Sequence, residues 1–104
     1  GVMYKVIKQG EGSGASPSPR SIVTVHYTGQ TINGRKFDSS LGGAPLACRL
    51  CDLIEGWIIA LQQMHVGDKW ELYLPADVAY GKFSQPGIPG GSTLVFEVEL
   101  LGVS

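Results

Sequence analysis

The chain has 104 residues, of which 43% are hydrophobic and 16% are charged, and its formal net charge is −1 at pH 7. This length and composition predict one domain with one hydrophobic core. Because the charge is nearly balanced and no basic stripe is present, we expect no nucleic-acid partner. No apolar run is long enough to span a bilayer, so we expect no membrane contact from this domain. The first residue is Gly1 rather than methionine, and we expect residues 1–104 to be excised from a longer precursor.

Alternating apolar and polar residues predict four strands in the first half of the chain. Residues 4–8 form the first strand, and residues 22–31 form the most regular one. The pair Asn33-Gly34 predicts a two-residue hairpin turn, after which residues 36–38 pair back antiparallel. A further strand is predicted over residues 45–51.

Residues 54–64 predict the only helix of the chain. Trp57, Leu61 and Met64 follow one another at helical spacing and form an apolar stripe. Asp52 is the predicted N-cap. Because a helix of about three turns is marginal alone, packing must stabilise it.

The last part of the chain returns to strand patterns. Residues 70–74 alternate, a long loop containing Tyr80 follows, and residues 94–101 form the final strand. Several antiparallel strands with one short helix predict an α+β fold, in which a strongly curved sheet, a half-barrel, wraps around the helix.

The two cysteines have the C-x-x-C spacing of a redox pair or of half a zinc site. On the strand predicted for residues 45–51, Cys48 and Cys51 point to opposite faces, which forbids a disulfide between them. A zinc site requires two further ligands, and His26 and His65 are the only histidines. We therefore expect two free thiols, no metal and no cofactor, with redox chemistry as an alternative.

Several large rings accompany a lone carboxylate, without a nucleophile–base pair. Taken singly, Trp57 and Phe96 are typical core residues, and Asp38 is typical of a local turn. His26 is best explained as a hydrogen-bonded structural histidine. Together, the rings and the carboxylate favour a site that acts by shape, apolar surface and a few hydrogen bonds.

The order of these motifs resembles that of the FKBP-type peptidyl-prolyl cis-trans isomerases over nearly the whole chain. The motifs are Val-His-Tyr-Thr-Gly at 25–29, Gly-x-x-Phe-Asp-Ser-Ser at 34–40, Ile-x-Gly-Trp at 54–57, Pro-x-x-x-Ala-Tyr-Gly at 75–81, and Ile-Pro at 88–89 with the final strand. The opening residues and the stretch at 66–72 are similar to bacterial members of the macrophage-infectivity-potentiator group.

The resemblance implies an aromatic pocket with Trp57 as its floor. The implied catalytic residues are Tyr27, Phe37, Asp38, Trp57, Tyr80 and Phe96. The implied ligand-binding residues are Leu46, Leu53, Ile54 and Ile88. The backbone N–H of Ile54 and the hydroxyl of Tyr80 are expected to donate to substrate carbonyls, and Asp38 is expected at the rim.

The sequence also departs from the family pattern. Leu46 stands where a phenylalanine is usual, Cys48 where another aromatic is common, and Gln85 where some members have histidine. Gly90 interrupts a more usual Ile-Pro-Pro, which predicts a more mobile flap because glycine widens the accessible backbone space. These departures bear on ligand affinity more than on activity.

The resemblance implies an isomerase that acts on Xaa-Pro bonds and assists protein folding. Its expected partners are proline-containing polypeptides, with tacrolimus and rapamycin as inhibitors, and the isolated domain is expected to be monomeric. A periplasmic or cell-envelope location is favoured over the cytoplasm. The alternative function is a non-catalytic peptide-binding or chaperone module that uses the same pocket.

Overall fold

The computed structural model describes residues 2–10 and 14–104, in which a curved antiparallel sheet of six strands packs on one short helix. The strands are β1 (Met3–Lys8), β2 (Ile22–Thr31), β3 (Lys36–Ser39), β4 (Leu46–Arg49), β5 (Lys69–Leu74) and β6 (Leu94–Val103). The helix α1 spans Glu55–Leu61, and two 3₁₀ turns span Leu50–Asp52 and Ala76–Val78. The strand order is β1-β5-β6-β2-β3, with β4 also paired to β2. The predicted fold class is confirmed.

Strand β2 is the centre of the sheet. It pairs with β6 from Val23 opposite Val103 to Thr31 opposite Leu94. On its other edge, the first half of β2 pairs with β4 and the second half with β3. The second half of β2 therefore lies between β3 and β6, and this is where the aromatic residues of the predicted pocket meet.

The hydrophobic core is formed by alternate residues of the strands and by the apolar stripe of helix α1. The fully buried side chains of the sheet include Val23, Val25, Leu72, Leu74, Leu94, Val98 and Leu100. Helix α1 contributes its buried residues Trp57, Ala60 and Leu61. A Cβ at Gly56 would lie 2.6 Å from Cδ2 of Leu74, so the absence of a side chain lets the helix approach the sheet closely.

The helix is shorter than its apolar pattern predicts. It begins at Glu55, after Ile54 as the N-cap, and no side chain caps it. Asp52 lies in the preceding 3₁₀ turn, so its predicted role as N-cap is wrong. Beyond Leu61 the backbone continues in turns, in which the N–H of Met64 donates to the carbonyl of Leu61. Met64 is still fully buried, which explains why the apolar pattern of the sequence continues beyond the end of the helix.

The strand predicted for residues 45–51 is also too long. Strand β4 ends at Arg49 because the buried Leu50 and the following Cys51 donate their N–H groups to the carbonyls of Ser21 and Pro19. Cys48 thus lies in the strand and Cys51 in the 3₁₀ turn, so the prediction that both lie on one strand and point to its opposite faces is wrong. Both cysteines are nevertheless free thiols, as expected.

The hairpin between β2 and β3 forms as predicted, but with a different turn. The N–H of Gly34 donates to the carbonyl of Thr31, so Ile32 and Asn33 occupy the centre of the turn. Gly34 has a φ of +89° and takes the left-handed position that follows such a turn. Among the helices of the described residues, none is long and apolar enough to cross a membrane.

Candidate functional site

A cavity of about 340 Å³ opens between the start of helix α1, the second half of β2 and the loops around them. Its lining combines rings, aliphatic side chains and two carboxylates: Tyr27, Asp38, Leu46, Asp52, Leu53, Ile54, Trp57, Tyr80 and Phe96. Eight of these nine residues are among those expected from the sequence. A cavity with this mixture of apolar wall and few polar groups is typical of a small-ligand site.

Three aromatic rings of the lining pack edge to face. The ring of Trp57 is 5.3 Å from that of Tyr27 at 79° and 5.3 Å from that of Phe96 at 90°. This geometry places the positive edge of one ring on the negative face of the next. Trp57 is only 3% exposed, so it supports the core and also closes the cavity. The three rings therefore form a fixed apolar surface.

Phe37 supports this surface without lining the cavity. Its ring packs edge to face on Phe96, 5.6 Å away at 89°. The backbone of Gly87 lies behind it, since a Cβ at Gly87 would be 3.3 Å from Cβ of Phe37. Ile88 also lies outside the lining and is buried in the core. Neither residue is part of the cavity lining, and their functional roles stay predictions.

Gly29 of β2 makes room for the pair of phenylalanines. It lies opposite Phe96 in the β2–β6 register. A Cβ at Gly29 would lie 2.7 Å from Cε1 of Phe96 and 2.8 Å from Cζ of Phe37. Only glycine lets both rings rest on the strand, and no sequence signal other than the Thr-Gly of the family motif points to this role.

Asp38 and Tyr27 are joined at the rim of the cavity. The Tyr27 hydroxyl donates to Oδ2 of Asp38 at 2.7 Å, and the backbone N–H of Ser39 donates to Oδ1 at 2.9 Å. Burial, followed by this hydrogen bond, raises the pKa of Tyr27 to about 12. Asp38 is therefore a fixed acceptor that orients the Tyr27 ring, as well as the local turn residue that the sequence pattern allows.

Besides the buried indole N–H of Trp57, which has no partner among the described residues, two further hydrogen-bond donors of the wall are available to a bound molecule. The Tyr80 hydroxyl makes no hydrogen bond to the described residues, and burial, with the charge of Asp38 as the second cause, raises its pKa. The backbone N–H of Ile54, which precedes helix α1, likewise donates to no acceptor in the described part of the chain. Both groups are donors at neutral pH, as the resemblance implies.

Asp52 is a lining residue that the sequence did not indicate. The pattern around it predicted a helix cap, whereas the 3₁₀ turn Leu50–Asp52 brings it to the rim. Its position depends on the two backbone hydrogen bonds that end strand β4, from Leu50 to Ser21 and from Cys51 to Pro19. Those contacts are distant along the chain, so the local sequence holds no sign of them.

The remaining candidates lie outside the cavity. Nδ1 of His26 is 2.9 Å from Oγ of Ser40, which also accepts the N–H of Tyr27 at 2.8 Å, so His26 is a hydrogen-bonded structural residue as expected. Burial raises the pKa of the Cys48 thiol, with the charge of Asp52 as a second cause. No group of three possible metal ligands occurs within residues 2–10 and 14–104.

The loop from Gly81 to Gly91 is tied by backbone hydrogen bonds. The N–H of Gly91 donates to the carbonyl of Gly81 at 2.8 Å, and Gln85 and Ile88 exchange bonds of 2.9 and 2.8 Å. A Cβ at Gly90 would overlap the carbonyl oxygen of Lys82. Gly90 thus permits a close backbone approach, and the mobility expected from it stays a prediction.

Comparison with known proteins agrees with this geometry. The profile of the family described as FKBP-type peptidyl-prolyl cis-trans isomerase matches residues 14–101. The chain is 50% identical to the FKBP-type 22 kDa peptidyl-prolyl cis-trans isomerase of Escherichia coli, covering 99% of this chain and 50% of that protein. It is 43% identical to the outer membrane protein MIP of Legionella longbeachae, over 99% of this chain and 44% of that protein.

The chain is also similar to a yeast protein and to a protein of known crystal structure. FK506-binding protein 1 of Saccharomyces cerevisiae is 44% identical, over 96% of this chain and 92% of that protein. The crystal structure of FkpA from Escherichia coli superposes with a TM-score of 0.93 at 44% identity, over 100% of this chain and 48% of that chain. The chain thus spans about half the length of its bacterial relatives, and it belongs to the family of FKBP-type peptidyl-prolyl cis-trans isomerases.

Proposed function

We propose that residues 1–104 form a single domain that catalyses cis–trans isomerisation of Xaa-Pro bonds in polypeptides and so assists protein folding. The observation that carries this proposal is the cavity itself, in which Trp57, Tyr27 and Phe96 form an apolar surface beside two unused donors. Family membership supports the reaction type.

The reaction requires no acid, base or nucleophile. Rotation about an Xaa-Pro bond has a barrier of about 20 kcal/mol because the planar amide loses its resonance. The twisted amide is less dipolar than the planar one, so a water-poor cavity stabilises the transition state more than the ground state. Each tenfold gain in rate corresponds to only about 1.4 kcal/mol of this preference.

Each group of cavity residues has its own role in this reaction. The proline ring lies on Trp57, where the edge-to-face contacts with Tyr27 and Phe96 hold the surface in place. The N–H of Ile54 and the hydroxyl of Tyr80 donate to the flanking carbonyls while the bond turns. Asp38 transfers no proton, because its role is to fix the Tyr27 hydroxyl.

A second candidate function is peptide binding without useful catalysis. The observation that favours it is the wall position Leu46, which is half-buried at the cavity and supplies no ring. Refolding of a protein limited by proline isomerisation distinguishes the two. Catalysis shortens the slow phase at substoichiometric protein, whereas a binding module leaves its rate unchanged or slows it at stoichiometric protein.

The proposed partners and cellular location are based on the relatives of this chain. Proline-containing polypeptides are the proposed substrates, and tacrolimus and rapamycin are proposed inhibitors, consistent with the name of the yeast relative. A periplasmic or cell-envelope location is proposed because one relative is named as an outer membrane protein. The isolated domain is proposed to be monomeric, which sedimentation of residues 1–104 tests.

A further inference from the structure

The cavity carries two carboxylates and no basic side chain. Asp38 comes from strand β3 and Asp52 from the 3₁₀ turn Leu50–Asp52, and both are exposed at the rim. None of the nine lining residues is a lysine, an arginine or a histidine. Glu55, which begins helix α1, is a further exposed carboxylate close to Asp52 in the chain.

These charges are not neutralised within the described residues. The close contacts found there between acidic and basic side chains are His65 with Asp68 and Lys69 with Glu97, and neither involves the cavity. The hydrogen bonds to Asp38 come from the neutral donors Tyr27 and Ser39, which hold the carboxylate and leave its charge intact.

The basic residues nearest in sequence to Asp38 and Asp52 lie outside the cavity lining. Side chains alternate along strand β4, and Leu46 lines the cavity. Arg49, three residues later, therefore points to the face of the sheet opposite to that of Leu46. Lys36 precedes Asp38 by two residues, but the bulge between Gly29 and Gln30 shifts the register, and Lys36 lines a separate depression with Glu71 and Glu97.

The field of both carboxylates acts on groups around the cavity. After burial, the charge of Asp38 is the second cause that raises the pKa of Tyr80, and the charge of Asp52 is the second cause at Cys48. The rim is therefore a region of negative potential above an apolar floor.

We infer that this site selects polypeptide segments with a lysine or arginine within two residues of the proline. The inference rests on the proposed function and names the substrate class of the same cavity. An extended chain advances about 3.3 Å per residue, so the Cα of such a residue lies within roughly 7 Å of the seated proline, and its charged group, at the end of a side chain of about 6 Å, lies within roughly 13 Å. That distance is shorter than the Debye length of about 30 Å at 0.01 M salt. An apolar residue directly before the proline still packs on the wall.

Matched peptides test this selectivity. They keep leucine before the proline and carry lysine, glutamine or glutamate at the position before the leucine, and NMR exchange spectroscopy gives kcat/KM for each. We expect the order lysine, glutamine, glutamate, with a lysine-to-glutamate ratio of about tenfold at low salt, because a charge change of two units at roughly 13 Å from two carboxylates in water corresponds to about that factor. At high salt the ratio should approach one.

A pair of variants assigns the effect to the rim. Asp52→Asn should lower the lysine-to-glutamate ratio about threefold, as the loss of one of two unit charges implies. Asp77→Asn is the matched control, since Asp77 is exposed in the turn Ala76–Val78, lies outside the lining and changes the net charge equally. Because the readout is a ratio, a general loss of activity in either variant cancels.

A ratio near one in the wild-type protein at low salt overturns the inference, as does an equal shift in both variants. If the wild-type protein accelerates none of the peptides, the proposed function is wrong. The charge preference is then read from the Kd values of the same peptides by chemical-shift titration, and equal Kd values for lysine and glutamate peptides overturn it.

Discussion

The hydroxyl of Tyr27 in β2 donates a 2.7 Å hydrogen bond to Oδ2 of Asp38 in β3, at the rim of the cavity. The bond forms only while Tyr27 is protonated, and burial together with this bond moves the pKa of Tyr27 from 10.0 to about 12. The contact therefore links the stability of the β2–β3 hairpin to pH.

The alkaline stability of the domain should depend on Tyr27. Below pH 10 the tyrosine is protonated in both the folded and the unfolded chain, so its contribution is complete. Between about pH 10 and pH 12 the unfolded chain loses the proton first, and the stability falls as the pH rises. Tyr27→Phe should flatten this decline in a series of Tm measurements across this pH range. An unchanged decline in Tyr27→Phe would contradict the assignment.

Truncation of Trp57 and truncation of Phe37 to alanine should have different effects on stability and on activity. Trp57→Ala removes a ring that is almost fully buried, so it should lose about 3–5 kcal/mol of unfolding free energy together with the activity. Phe37→Ala should lose less stability, because Phe37 is only half-buried. Its activity should fall about tenfold, since Phe96 loses its support at the cavity wall. Denaturant unfolding and kcat/KM check both, and equal stability losses would place Phe37 in the core rather than behind the site.

Gly29→Ala tests the packing of the phenylalanine pair on β2. The new methyl group overlaps both Phe96 and Phe37, so one ring must move, at about 1–3 kcal/mol of stability and with a measurable loss of kcat/KM. Gly43→Ala is the control, because the nearest atom to its Cβ would be 3.9 Å away. Wild-type activity in Gly29→Ala would show that the position of the Phe96 ring does not matter for catalysis.

Restoring a ring at position 46 should strengthen macrolide binding. Leu46 is part of the cavity wall, and Leu46→Phe adds one aromatic contact, for which about 1 kcal/mol is typical. Calorimetry with tacrolimus should therefore show about fivefold tighter binding than to the wild-type protein. Weaker binding to the variant would mean that the wall has no room for a ring at this position.

The sequence was most informative where the pattern was long and local. The ten alternating residues of β2 predicted the bounds of that strand without error. The helix pattern ran past the end of α1 because Met64 packs in the core from a turn. An apolar side chain at helical spacing indicates that the residue is buried, but it does not show that the backbone there is helical. At the end of a helix, the predicted burial can therefore be correct while the predicted end of the helix is wrong.

The site was predicted less completely because its residues come from distant segments. The resemblance named eight of the nine lining residues. It gave no sign of Asp52, whose position depends on hydrogen bonds from Leu50 and Cys51 to residues about thirty positions earlier. Phe37, which the resemblance also places in the wall, packs edge to face on Phe96 and is not among these nine lining residues, so its role stays a prediction. The position of Asp52 arises from tertiary packing, which motif order does not encode.

The most direct test of the account is the cis–trans exchange rate of a short Leu-Pro peptide, measured by NMR. Without catalysis this exchange takes tens to hundreds of seconds. At micromolar concentrations of the folded domain we expect exchange to become much faster, and to return to the uncatalysed rate when Trp57→Ala replaces the wild-type protein or tacrolimus fills the cavity. An exchange rate equal to the uncatalysed one in the presence of the folded wild-type domain would contradict the proposal that this cavity catalyses prolyl isomerisation.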